Sequence, residues 1–181
     1  MPVPKALAIA IGAVVLAACG SSAPSGVSAA NWVRSVCGAV GPFEQDVVSR
    51  SSALDVATFK NAVQSKHALE RFLEAVESDA TGALSKLRHA GAPRVANGKP
   101  IGDAVVGAFS RVESTMRGAV AQAHALPTSS PTALRSGARA LGVEVRNSLS
   151  SFPSLSSKAL RSPQIDQAAA REPACRSIST G

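Results

Sequence analysis

The side chains best spaced to do chemistry are His67, Glu70, Glu74 and Glu77, which recur at steps of three, four and three and so share one face of any helix that carries them. An imidazole and carboxylates on one face form a ligand set for a divalent cation. A metal pair inside a helical bundle asks for more: Glu-x-x-His on each of two helices and a glutamate from each of two others. The chain contains no Glu-x-x-His; the order here is His-x-x-Glu, and the other candidates, Asp103, Glu113, His124 and Glu144, are scattered. Lys66 and Arg71 flank the stripe, as on a solvated, ion-paired helix face. Neither a metal nor a cofactor is expected.

Nucleophilic catalysis lacks its parts as well. There is no Gly-x-Ser-x-Gly elbow and no Cys-x-x-Cys pair, and His67, His89 and His124 fall in helical segments without a base-and-orienter arrangement. The run Gly91–Pro100 places glycines before Lys99, superficially like a phosphate loop. Six residues separate Gly91 from Gly98 where that motif has four, and Pro100 stands where a hydroxyl would hold magnesium. It reads as a helix-to-helix connection, and the chain reads as one that binds and does not catalyse. Arg135, Arg139 and Arg146 form a candidate basic surface on one helix, with Lys158, Arg161, Arg171 and Arg176 adding charge further on. Such a stripe is either a solvated face or a surface for anionic lipid or an acidic partner.

The elements that must position these residues follow from apolar spacing. From Ala29, Trp32, Val33, Val36, Cys37 and Val40 line one helical face; Gly41-Pro42 interrupts it, and Phe43 and Val47 resume it after a kink. Trp32 belongs to this stripe and is expected in the core. Asp55 is a capping residue for a second helix that runs to about His89, with Val56, Phe59, Val63, Leu69, Phe72, Leu73, Val76, Ala80, Leu84 and Leu87 on its apolar face. A third helix carries Ile101, Val105, Phe109, Val112, Met116, Ala119, Ala123 and Leu126 and stops at Pro127. Ser130-Pro131 starts a fourth, with Leu134, Ala138, Leu141, Val145, Leu149 and Phe152, and Ser162-Pro163 starts a short fifth that Pro173 ends. No convincing alternating pattern competes. The expected fold is all-α: an up-and-down four-helix bundle with a short C-terminal helix.

The N-terminus carries a different signal. Lys5 and an apolar run from Ala6 to Ala17 form a secretory leader too short to span a bilayer as a helix. Its last residues, Leu16-Ala17-Ala18-Cys19, resemble the lipobox of bacterial lipoproteins. That resemblance implies recognition of Leu16, Ala17 and Ala18 by the signal peptidase, a diacylglycerol on the Cys19 thiol, and cleavage just before Cys19. Residues 1–18 are then the signal peptide, 19–28 a Gly/Ser/Pro/Ala tether, and 29–181 the helical domain. Of three cysteines in the chain, lipid on Cys19 leaves Cys37 and Cys175, near the two ends of the domain. One bridge would tie those ends together; two free buried thiols are the alternative. The opening around Trp32 and Cys37 and the ending around Pro173 and Cys175 are similar to small secreted helical lipoproteins of actinobacteria.

Composition agrees with this picture. The 181-residue chain is 45% apolar, only 3% aromatic and without tyrosine, so its core is built from Ala, Val and Leu. Its formal charge of +7 suits an anionic lipid surface. Export and the shortage of stacking aromatics speak against nucleic acid. The expected location is the extracytoplasmic face of the cell membrane, the expected partner an envelope protein, and a carrier holding an apolar small molecule or lipid between helices is the alternative.

Overall fold

The computed structural model describes residues 26–54, 61–150, 162–176 and 178. The lipobox and most of the tether lie outside these residues, as do Asp55, Val56, Phe59, Phe152, Lys158 and Arg161. Five helices account for nearly all that is described: α1 Ala29–Ala53, α2 Ala62–Ala90, α3 Gly98–His124, α4 Pro131–Ser150 and α5 Pro163–Arg171, the last followed by one 3-10 turn, Pro173–Cys175. No β-strand is present among the described residues; extended pairing is limited to one bridge between Val27 and Pro93.

Local chemistry sets most of the boundaries. Ser28 caps α1 by accepting from the Asn31 amide, which satisfies a donor the first turn would leave unpaired. The helix then continues through Pro42 to Ala53, so Phe43 and Val47 extend the same helix beyond Gly41-Pro42, as their spacing requires. α2 is capped by Asn61, whose Oδ1 accepts from the Val63 amide at 2.9 Å, and not by Asp55. At its other end Gly91 adopts φ 68°, a left-handed value that a side chain disfavours. α3 starts at Gly98 and so takes Lys99 and Pro100 into its first turn, shortening the expected connection. Ser130 caps α4 as expected, accepting from the Ala133 amide at 3.1 Å. Ser162 precedes α5 but does not cap it through its side chain; its hydroxyl donates instead to Gln164 Oε1 at 2.7 Å.

α2 is the central element, packed most extensively against α3 and next against α1. α4 lies on α3 and touches α2 along a narrow edge, while α5 and the 3-10 turn cover α1. Among the described residues no close backbone approach joins α4 to α1. The apolar interior is consequently divided. The larger core gathers Trp32, Val33, Val40, Leu84, Leu87, Val95, Ile101 and Phe109 with the bridged cysteines, and α5 packs Ile165, Ala168 and Ala169 against it. Phe43 meets Phe109 edge-on, with ring centroids 5.6 Å apart. The smaller core, towards the other end, is Leu73, Ala119, Ala123 and Leu141, bordered by Leu69, Phe72, Val120 and Val145. Burying an aliphatic side chain such as Leu87 stabilises by roughly 1.5–3 kcal/mol.

Cys37 and Cys175 form a disulfide, which binds the C-terminal turn to α1 across 138 residues of sequence. Closing a loop of that length contributes on the order of 5 kcal/mol by restricting the unfolded chain. Trp32 is in the core as expected, and its Nε1–H donates to the Gly91 carbonyl at 3.0 Å. The connection after Gly91 is not a passive loop: Pro93 and Val95 are buried, and Val27 exchanges backbone hydrogen bonds with Ala92 and Arg94. Gly26, Val27 and Ser28, assigned to the tether by composition, are thereby held against the folded domain. Two close approaches depend on missing side chains. A Cβ on Gly98 would collide with the Pro93 carbonyl, and one on Gly102 would sit 3.2 Å from the Gly91 oxygen. Gly102 thus brings α3 tight against the connection.

Candidate functional site

The stripe on α2 runs along its seam with α3. Glu70 is buried with only 9% of its surface exposed. His67, one turn earlier, donates from Nδ1 to Oε2 at 3.0 Å, and His124 on α3 donates from Nδ1 to Oε1 at 3.1 Å. Lys66 Nζ lies 3.8 Å from the same carboxylate. Burial pushes the Glu70 carboxyl up, but the hydrogen bonds from His124 and His67, and then the charges of His124 and Lys66, outweigh it, leaving the group below its ordinary value of 4.5. Lys66 has a second task. Its ammonium donates to the carbonyls of His124 at 2.7 Å and Leu126 at 3.0 Å, placing a cation on the unpaired, electronegative C-terminal end of α3.

The rest of the stripe follows the same logic. His124 Nε2 sits 3.5 Å from Glu74, and Arg117 bridges Glu113 on its own helix and Glu77 on α2, the latter at 3.4 Å. Seven residues back along α2, from Glu77 to Glu70, correspond to seven forward along α3, from Arg117 to His124, as antiparallel helices require. These carboxylates therefore face His124 and Arg117 on the neighbouring helix. Among the described residues no group of three His, Cys, Asp or Glu side chains is placed to hold a metal ion. The arrangement can set register and orient α3, and it presents no nucleophile beside a base. His124, scattered by sequence, is the residue whose part in this cluster went unseen; its seven-residue spacing from Arg117, matching Glu70 and Glu77, is the signal that could have found it.

Cations gather elsewhere too. Arg34 pairs with Glu172 at 3.2 Å, where the C-terminal segment crosses α1. It belongs to two shallow grooves, one with Lys86 and His89 from the end of α2 and one with Arg171 from the end of α5. Arg94 closes the chain entry by donating twice to the Gly26 carbonyl, at 3.1 and 2.8 Å. On α4, Arg135, Arg139 and Arg146 are all exposed. Near the end of α1 an open groove of about 770 Å³ is lined by Arg50, Leu54, Arg71, Phe72 and Glu74, among others. Arg50 lies 3.4 Å from Asp79, whose enclosed Oδ2 has no hydrogen-bond donor among the described residues.

No protein-family model, curated protein or solved structure matches this chain. Its own geometry carries the reading. Among the described residues no helix is long and apolar enough to cross a membrane.

Proposed function

We propose that this chain is an exported lipoprotein, held on the extracytoplasmic face of the cell membrane by diacylglycerol on Cys19, whose helical domain acts by binding an envelope partner and not by catalysis. Its helices α1 to α4 are read as an up-and-down four-helix bundle and α5 as the short C-terminal addition. The observation that carries the proposal is the use of cysteine: the bridge consumes Cys37 and Cys175, and the one remaining cysteine of the chain stands at the end of the lipobox-like run. A bridge of this kind also suits an oxidising, extracytoplasmic compartment. Replacing Cys19 by Ser tests the anchor. The variant should leave the membrane fraction, and a variant that stays there would refute lipid attachment.

A scaffold or interaction domain is favoured over a carrier because small side chains close the interior: Ala80 and Ala123 are fully enclosed, and Ala39 and Ala119 nearly so. The carrier reading draws on the groove lined by Leu54 and Phe72, which is open to solvent. Native mass spectrometry of protein purified gently from its own membrane separates the two. A co-purifying polypeptide would support the scaffold, and a small mass lost on denaturation would support the carrier.

A further inference from the structure

The described charges are distributed unevenly along the α2–α3 hairpin. At the end where α1 begins, α2 ends and α3 begins, the cations Arg34, Lys86, Arg88, Arg94, Lys99 and Arg171 are all exposed. Arg176 adds one more beside Cys175. The acids at that end are Glu172, occupied by Arg34, and Asp103, occupied by Lys99 at 2.6 Å; Asp166 lies on the first turn of α5, away from Arg171. Lys86, Arg88 and Arg171 have no acidic partner among the described residues, whereas from the middle of the hairpin towards the opposite end Glu70, Glu74, Glu77, Asp79 and Glu113 face Lys66, Arg50 and Arg117, and the exposed cations outside those pairs include Arg71 and, on α4, Arg135 and Arg139. The cationic end is also where the chain enters. Gly26 and Val27 are pinned to Ala92 and Arg94, and the seven peptide links from Cys19 to Gly26 reach at most about 25 Å.

We propose that the end of the domain carrying Arg34, Lys86, Arg88, Arg94 and Arg171 rests on the anionic lipid surface to which the tether leads. The inference rests on the lipoprotein reading for its tether, and it selects this surface over the stripe on α4. α3 has 27 residues and is therefore about 40 Å long. The antiparallel α4 begins at its far end, so Arg135 and Arg139 stand well beyond the roughly 8 Å over which a surface potential acts at physiological salt. Each cation held at an anionic leaflet strengthens association by about fivefold, and several clustered around one entry point orient the domain as well as attract it.

The full chain, purified from membranes, would be reconstituted in phosphatidylcholine vesicles with or without phosphatidylglycerol and footprinted by amine acetylation. The expected result is slower labelling of Lys86 in the anionic vesicles, reversed by high salt, with Lys66 at the opposite end unchanged. The Arg88→Gln/Arg171→Gln pair should restore Lys86 labelling towards its level in neutral vesicles, while Arg135→Gln/Arg139→Gln should leave the protection intact. Equal Lys86 labelling in both vesicles, or protection abolished only by the α4 pair, would overturn the proposal. The mass of the N-terminal peptide reports the anchor separately. If it lacks diacylglycerol, that reading alone fails, and docking is read by flotation of the same protein with anionic vesicles at low salt: binding weakened about 30-fold by the Arg88→Gln/Arg171→Gln pair supports it, and no flotation overturns it.

Discussion

The two ends of the α2–α3 hairpin are held by different physics. At the chain-entry end a large core joins α1, α2, α3 and α5, the Cys37–Cys175 bridge closes it, and the connection after Gly91 adds Pro93 and Val95 to the interior. At the other end a four-residue core is supplemented by a buried carboxylate with two imidazoles and a lysine around it. The first end gains its stability from area and a covalent link. The second depends on hydrogen-bond geometry, and α4, with Leu134 and Leu141 its only buried apolar side chains among those described, is held with the least of the four long helices. The difference teaches where the molecule can open locally: burial sets the local free energy of opening, so among the four long helices amide exchange should rank α2 and the first half of α3 slowest and α4 fastest.

Breaking the bridge should separate the ends most. Replacing both Cys37 and Cys175 by Ala is expected to cost on the order of 5 kcal/mol, read as a lower urea midpoint, with α5 exchanging ahead of the rest. A variant as stable as the parent would mean that apolar packing alone holds that end. Next in size, Leu87→Ala in the larger core should cost about 3–5 kcal/mol and Leu141→Ala in the smaller about 2–3 kcal/mol, because a site that can collapse leaves less cavity. Equal losses would erase the distinction between the cores.

The polar cluster gives a smaller and pH-dependent effect. Because the folded Glu70 carboxyl lies below its ordinary 4.5, the stability it contributes is fully present above the unfolded value and is lost as pH falls through the folded one. Glu70→Gln should therefore destabilise by about 1–2 kcal/mol at neutral pH, and its deficit should shrink on acidification below pH ~4.5, the midpoint for the ordinary carboxyl. A deficit that stays constant to low pH would show that the carboxylate charge is irrelevant. Smallest of all, Lys99→Ala removes a pair exposed on both partners, 80% and 64%, and chemical denaturation should register no more than about 0.5 kcal/mol.

Much of the fold was legible because apolar spacing reports burial directly. Trp32, Val33, Cys37 and Val40 on α1 and Ile101, Val105, Phe109, Met116, Ala119 and Ala123 on α3 are buried as their periodicity requires. Val63, assigned to the α2 stripe by sequence, is 48% exposed, because in that turn Ala62 and Ser65 occupy the buried face and Val63 points away from it. The polar stripe was legible as a stripe, but not as an interhelical seam: charge spacing on one helix does not say whether water or another helix faces it. The start of α2 was misplaced because Asp55 and Asn61 are equally good caps in sequence, and the end of the tether because composition cannot see that Val27 pairs with residues 92–94.

What the sequence determined by itself was local: helices, the cap at Ser130, breakers at Gly91 and Pro127, and cysteines near both ends of the domain. Each depends on neighbours within a few residues, where dihedral preference and 3.6-residue periodicity act. What only the tertiary structure decided was which faces meet: Glu70 between His67 and His124, Val95 in the core, and a cationic end assembled from α1, α2, α5 and the connection before α3. Those depend on the register of antiparallel helices, and register is a property of packed pairs that no single helix encodes.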